Sequence, residues 1–331
     1  MFYLHKKQSL SGYFAGKPRV FRLHRLKAFL WAIVRTVLVV GICFIILYPV
    51  IIKLSSSMMS ERDLYDTTVE FIPKHFTMDN FKLVWSVMDY PGSFLNTLSI
   101  SAITSILQLI SCTVVSYGFA KFKFPLKRAI FALVLLTMVI PPQILMVPLY
   151  LHFRFFDVLG LLSLFNGGTP LNLLDSFWSF ALMSVTGVGL KNGLYIYILR
   201  QFFRGMPKEL EEAAYVDGSG PFRTFLRIMM PSATPMMVTV FLFSFVWQWN
   251  DIFYSSLFLL KTKVLSVALS GLAQTVENLN VARSGFVELN PAYLSQLNST
   301  GSILVIVPLI IVYLFSQRYF VESVERSGII G

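Results

Sequence analysis

The residues with the means to do chemistry are few, and none is arranged to make or break a covalent bond. Within one apolar run, Trp247, Asn250, Asp251 and Tyr254 recur at spacings of three, four and seven, which puts them on one face of a continuous helix. A carboxylate among hydrocarbon side chains is costly and marks either a solute pathway or a buried polar pairing. The simpler account is pairing, with Asn250 and Asp251 hydrogen-bonded to a neighbouring helix. The aromatic neighbours keep a second role open, because flat rings stack on the apolar faces of pyranoses. A phosphate cradle is not built: the nearest match, Gly12 to Lys17, is one residue short and is followed by Pro18. His5, His24, His75 and His152 are scattered, without metal-ligand spacing. Cys43 and Cys112 both fall in apolar runs and make no disulfide framework.

A second group lies in a polar stretch, residues 206–221. Pro207 suits the first turn of a helix, and Glu209, Glu211 and Glu212 complement its positive end. Gly218 falls where a helix stops in a left-handed residue. That gives about three turns, too few to be stable alone in water. A second short helix is expected from Pro221 to Met230, ahead of Pro231 and Pro235. Two short helices joined at a glycine suit a docking element. The alternative is an amphipathic loop on the headgroups.

The elements that must position these residues follow from composition. The 331 residues are 55% hydrophobic and only 14% charged, with a mean hydropathy of +0.67. A soluble domain carries about 25% charged residues, so this chain has too little polar surface to face water all round. Disorder, collagen and coiled coil are excluded by the same numbers. The net charge of +11 does not indicate nucleic acid, because the basic residues sit between apolar runs instead of covering a soluble face.

Six segments reach or approach the roughly 20 apolar residues that cross a bilayer: 29–52, 94–119, 129–151, 176–199, 236–260 and 301–315. Gly187, Gly189, Lys191, Asn192 and Gly193 interrupt the fourth, and Gly189 and Gly193 have the spacing of a helix-packing motif. Pro141 and Pro142 read as a kink in the third. The first exceeds the apolar core of a signal peptide and is followed by no small-residue cleavage site, so it reads as an uncleaved anchor. Seven basic residues and no acid precede the first span, and the loop after the second carries Lys121, Lys123, Lys127 and Arg128 without an acid. The loop after the first span has four basic residues against six acids. The asymmetry predicts an all-α, six-span membrane protein with both termini in the cytoplasm. Its parts are a basic segment 1–28, a membrane domain 29–320 with a cytoplasmic loop at about 200–235, and a tail 321–331.

The run Glu212-Ala213-Ala214, three residues, Gly218, nine residues, Ile228, two residues, Pro231 resembles the EAA signature of binding-protein-dependent ABC importer permeases. Trp249-Asn250-Asp251 resembles a tryptophan-asparagine-acid run of the carbohydrate type, and Phe71-Ile72-Pro73 with Phe76-Thr77 and Asn80-Phe81 resembles its external segment. Gln317-Arg318-Tyr319-Phe320-Val321 is similar to its C-terminal end, although the family's closing Lys-Gly pair is replaced by a tail ending in Gly331. The stretch 160–189 is longer than the family pattern.

The resemblance implies a type I importer permease fold in a prokaryotic plasma membrane, with Glu212, Ala213, Ala214, Asp217, Gly218, Ile228 and Pro231 forming a coupling element. It implies a second homologous permease, a cytoplasmic ATPase dimer that binds ATP and Mg, an extracytoplasmic solute-binding protein and a sugar substrate, with no cofactor, metal or catalysis in this chain. An ABC permease for a non-sugar solute is the nearer alternative. An ion-coupled secondary transporter is the more distant one, since it needs several intramembrane acids and only Asp251 qualifies.

Overall fold

The computed structural model describes residues 18–69, 71–285 and 289–328. Most of the basic segment 1–28 and the last residues of the tail therefore lie outside the described residues. Among the described residues every regular element is helical, and two isolated antiparallel bridges join extended segments, Met59 with Phe76 and Phe156 with Leu171. Hydrocarbon offers no hydrogen bonds to a backbone, so apolar runs of this length must satisfy their amides internally.

The first helix, α1 (Pro18–Ser57), is followed by α2 (Asp79–Val87) and α3 (Tyr90–Lys121). Next come α4 (Lys127–Val139) and α5 (Met146–Arg154), set at 99° across the Pro141–Pro142 break. Ile140 is extended there, as a residue before proline must be. The stretch 160–189 holds α6 (Leu161–Phe165) and α7 (Trp178–Val185), and α8 (Asn192–Gly205) follows. Then α9 (Glu209–Val216), α10 (Pro221–Thr224), a π turn at Phe225–Met229 and α11 (Met230–Ser232) lead into α12 (Thr234–Trp249) at a 75° bend. The chain closes with α13 (Phe253–Phe258), α14 (Leu265–Ser270), α15 (Leu272–Ser284) and α16 (Pro291–Gly328).

Three unbroken helices are long and apolar enough to cross a membrane, Lys27–Ser57, Tyr90–Lys121 and Pro291–Arg318, and the two bent pairs raise the count to five. The fourth expected span is instead two short helices, α7 and α8, parted at 186–191, where Gly187 and Lys191 take positive φ. The Gly189–Gly193 spacing is therefore not a motif on one helix. Gly193 alone lies in α8, where an added Cβ would come within 2.9 Å of the Val134 carbonyl of α4. The fifth expected span, 236–260, stops as a helix at Trp249.

At the centre is α3. Its buried side is a seam of Ser93, Thr97, Ser101, Thr104, Ser105, Gln108, Thr113 and Ser116. Such small polar residues let backbones approach closely. Ser111 donates to the Ser184 carbonyl of α7 at 2.6 Å, Ser116 to Ile196 of α8 at 2.9 Å, and Gln108 pairs with Ser244 of α12. Aromatic clusters fill both ends of the bundle: Tyr117, Phe119, Tyr195, Phe203 and Phe225 at one, Phe153, Phe180, Tyr254 and Phe258 at the other. By contrast, α4 buries no residue, and most of the apolar surface of α1 is exposed.

Candidate functional site: a short helical element at the basic end of the bundle

The end of the bundle that carries residues 206–220 is fixed by one ion pair. Lys121, the last residue of α3, lies 3.2 Å from Glu211 of α9, so the 122–126 loop and α9 share that end. With them are Lys123, Lys127 and Arg128 and the end of α8 with Arg200 and Arg204. Apart from the acids of α9 itself, the opposite end carries a second set of acids. Asp63 accepts bonds from the His75 amide and ring, Asp66 pairs with Lys74, and Asp175 accepts from the Lys261 and Thr262 amides at 3.0 and 2.9 Å. Those two backbone bonds are the main reason that the Asp175 carboxyl is held below its ordinary range.

Helix α9 is shorter than its sequence promises, eight residues instead of three turns. Its three glutamates occupy the first turn, where the helix dipole favours them. The C-terminus closes as a Schellman motif: the Gly218 amide donates to Tyr215 at 3.0 Å and the Ser219 amide to Ala214 at 2.9 Å. Gly218 has φ +78°, a conformation that an L side chain resists. Gly220 then turns the chain into α10 with Pro221 in its first turn, as the sequence pattern requires.

This fold sorts the candidate residues. Glu212, Ala213, Asp217 and Gly218 are exposed, beside bare apolar surface at Leu210, Tyr215, Val216 and Phe222. Val216 is 87% exposed and Phe222 75%, which with Leu210 and Tyr215 makes a contiguous apolar patch of the kind that contacts a partner. Ala214 does not join them. It is buried within this chain and receives the Ser219 amide, so its small size serves the reversal itself. Ile228 is half-buried behind Met229 in the end cluster, and Pro231 is exposed at the bend into α12.

Glu211, read in the sequence only as a complement to the helix's positive end, has a second role that the sequence did not indicate. Its carboxylate accepts from the Tyr117 hydroxyl at 3.1 Å and pairs with Lys121, and both charged side chains are only about one-eighth exposed, 13% for Glu211 and 12% for Lys121. The Tyr117 ring stands 4.6 Å from Phe225 and 5.5 Å from Phe203. One carboxylate thus ties α9 to α3, while the ring beside it ties α3 to the chain leaving the element. The only signal was a glutamate off the exposed face, one residue before the EAA pattern.

The second candidate group is not brought together. Because α12 ends at Trp249, Trp247, Asn250, Asp251 and Tyr254 do not share a helical face. Trp247 is about half exposed, with the Lys191 ammonium 4.8 Å from its ring centroid, and Asn250 is exposed, donating to the Val246 carbonyl at 2.8 Å. Asp251 and Tyr254 are buried. The Asp251 carboxylate accepts from the Ser255 amide at 2.8 Å, the Ser255 hydroxyl at 3.0 Å and the Tyr254 amide at 3.2 Å. It caps α13. Its backbone carbonyl also accepts from Ser266 at 2.7 Å, so the break between α12 and α13 is fastened from both sides. Tyr254 stacks on Phe258 at 6.0 Å. The expected pairing with a neighbouring helix is not what these side chains do: Asn250 bonds the turn behind it and Asp251 the turn ahead of it in the same chain.

Residues 112–326 match the family described as binding-protein-dependent transport system inner membrane component. An alpha-glucoside transport system permease of Rhizobium meliloti is 29% identical over 78% of this chain, a match that spans 62% of that relative's length. A melibiose/raffinose/stachyose import permease of Bacillus subtilis is 27% identical over 86% of this chain and 91% of its own. Among solved structures, a bacterial ABC transporter involved in the import of the acidic polysaccharide alginate shares the fold at a TM-score of 0.61, with 20% identity, over 89% of this chain and 98% of that one.

Proposed function

We propose, from the premise that the chain belongs to the family of binding-protein-dependent transport system inner membrane components, that it is the permease subunit of an ATP-driven oligosaccharide importer. It is a multi-pass membrane protein of the transport machinery and not an enzyme. The relatives are named for alpha-glucosides and for melibiose, raffinose and stachyose, and a sugar of that size class is the solute assigned here.

The observation that carries the proposal is the α9 element: a reversal locked by its Schellman bonds presents Glu212, Ala213, Asp217 and Gly218 with exposed Val216 and Phe222 at the basic end. An apolar patch with a carboxylate at its rim suits a cleft on a cytoplasmic ATPase, which would bind ATP and Mg as a dimer. The positive-inside bias supports placing this end, and both termini, in the cytoplasm. The acidic end then faces the solute-binding protein. A second, homologous permease completes the pathway and covers apolar surface left bare on α1. The mechanism is alternating access, with ATPase closure pushing α9 and opening the bundle outward. Within the domain bounds read above, 29–320 is the working unit.

Substrate contact narrows to Trp247 and Asn250, because the other two candidates are committed to structure. The same fact weighs against an ion-coupled carrier, since the Asp251 carboxylate is engaged by three donors of its own chain and does not face a pathway alone. The test is Gly218→Leu in the reconstituted complex. Binding-protein-stimulated ATP hydrolysis and uptake should both fall, while the order of preference among sugars stays unchanged. Full stimulation with normal retention of the ATPase subunit would remove the proposal's main support.

A further inference from the structure

Five cations gather where the α3–α4 loop meets the last turns of α8, and among the described side chains none of them has an acidic partner. Lys123, Lys127 and Arg128 line an open cavity of about 380 Å³ with Phe124 and Leu126. Arg200 and Arg204 of α8 lie close enough for their charges to act on Lys127. The ion pairs among described residues involve Lys74, His75, Lys82 and Lys121, and none of these five. Two of the five are held in place. Lys127 donates to the Phe122 carbonyl at 2.7 Å, and the Arg200 guanidinium carbon lies 3.9 Å from the Phe131 ring centroid while its Nε donates to Phe119 at 3.4 Å. Lys123, Arg128 and Arg204 are exposed. Like charges gathered at one place repel one another, and an anion among them would relieve that repulsion.

What kind of anion follows from the wall beside it. Helix α4 rises from Lys127 and Arg128, buries none of its residues, and bares Ile130, Leu133, Leu136 and Val139. Its thirteen residues reach about 20 Å, more than the roughly 15 Å of hydrocarbon in one leaflet. Basic cavity and apolar wall are continuous, so the matching ligand is anionic at one end and apolar along its length. An acidic protein segment would neutralise the cations and leave the wall of α4 bare. Free phosphate would do the same. We propose that this cavity binds the phosphate headgroup of an anionic phospholipid of the cytoplasmic leaflet, with its acyl chains lying along α4. Basic clusters beside a membrane-spanning helix attract such lipids electrostatically. The placement in that leaflet rests on the orientation given above, but headgroup binding itself does not.

The experiment is lipid retention by the purified full-length chain, read by native mass spectrometry in detergent with phosphatidylglycerol, phosphatidylcholine or inorganic phosphate added. The wild type should keep phosphatidylglycerol over phosphatidylcholine, and the triple variant Lys123→Gln/Arg128→Gln/Arg204→Gln should lose that preference by about 10-fold or more. Charge-preserving Lys123→Arg/Arg128→Lys should keep it, which separates lost charge from a damaged fold. Lys74→Gln/Lys82→Gln, at the acidic end, should leave it unchanged. Equal retention in the triple variant and the wild type would overturn the proposal, as would equal binding of phosphatidylcholine. Phosphate that competes as strongly as the lipid would show a free-anion site instead. In the assembled transporter, loss of the ATPase subunit with lipid retention intact would reassign the cluster to protein docking and overturn it too.

Discussion

The link most open to attack is the Glu211 carboxylate between α9 and α3. Removing it in Glu211→Ala deletes an acceptor for the Tyr117 hydroxyl and leaves Lys121, whose side chain is 12% exposed, without its counter-charge. Hydrogen bonds to a charged group contribute about 1.5–3 kcal/mol, and stranding a fully buried ion costs about 3–5 kcal/mol. Lys121 ends its helix and can swing its ammonium to water along its alkyl stem, which removes much of the larger penalty. The expected cost of Glu211→Ala is therefore about 2 kcal/mol, with less in Tyr117→Phe, where the ion pair survives. A double-mutant cycle of Glu211→Gln against Lys121→Met should give a coupling of about 1–2 kcal/mol. The readouts are thermal unfolding of the detergent-purified chain for the energies and binding-protein-stimulated ATP hydrolysis of the reconstituted complex for the consequence. Because Glu211 points at α3, Glu211→Ala should keep the ATPase subunit bound and lose stimulation. An additive cycle, within about 0.5 kcal/mol, together with normal stimulation, would refute the idea that this carboxylate transmits motion.

Asp251→Ala should destabilise the protein by about 2 kcal/mol through loss of the α13 cap, whereas Asp251→Asn keeps an acceptor oxygen and should cost less than about 1 kcal/mol, both read by thermal unfolding. If Asp251→Asn abolished transport with stability untouched, the capping role would give way to a pathway role. Asp175 should make the end opposite α9 acid-sensitive: its folded-state pKa is depressed by the Lys261 and Thr262 amides, so its stabilisation is present above the unfolded value of about 3.9 and is lost as pH falls through the lower folded one. Unfolding temperature between about pH 5 and 3 should therefore drop less steeply in Asp175→Asn than in the wild type, and parallel profiles would contradict this.

Where one local force dominated, the sequence was easy to read. Long apolar runs became α1, α3 and α16, the Pro141–Pro142 pair became a sharp bend, and Gly218 took its left-handed turn. The fifth span misled because hydropathy runs on through Asn250 and Asp251, while their side chains compete for the backbone: one bonds the Val246 carbonyl behind it, the other the Tyr254 and Ser255 amides ahead. The split of the fourth span followed from its glycines, but the choice between a kink and two separate helices was settled by packing of α7 and α8 on the seam of α3. Glu211 and Ala214 were illegible for another reason. The partners of Glu211 lie some ninety residues away on α3, beyond any helical periodicity, and the burial of Ala214 depends on which face of α9 the Glu211 tie turns inward.

Docking of the α9 element on an ATPase subunit is tested most directly by a photo-crosslinking residue placed at Val216, 87% exposed at the tip of the helix. In the assembled transporter, illumination should join this position to the ATPase subunit, and an equivalent probe at exposed Ile72 near the acidic end should not. Crosslinks from position 216 only to lipid or to the solute-binding protein, with the ATPase captured from position 72, would contradict both the docking role and the orientation.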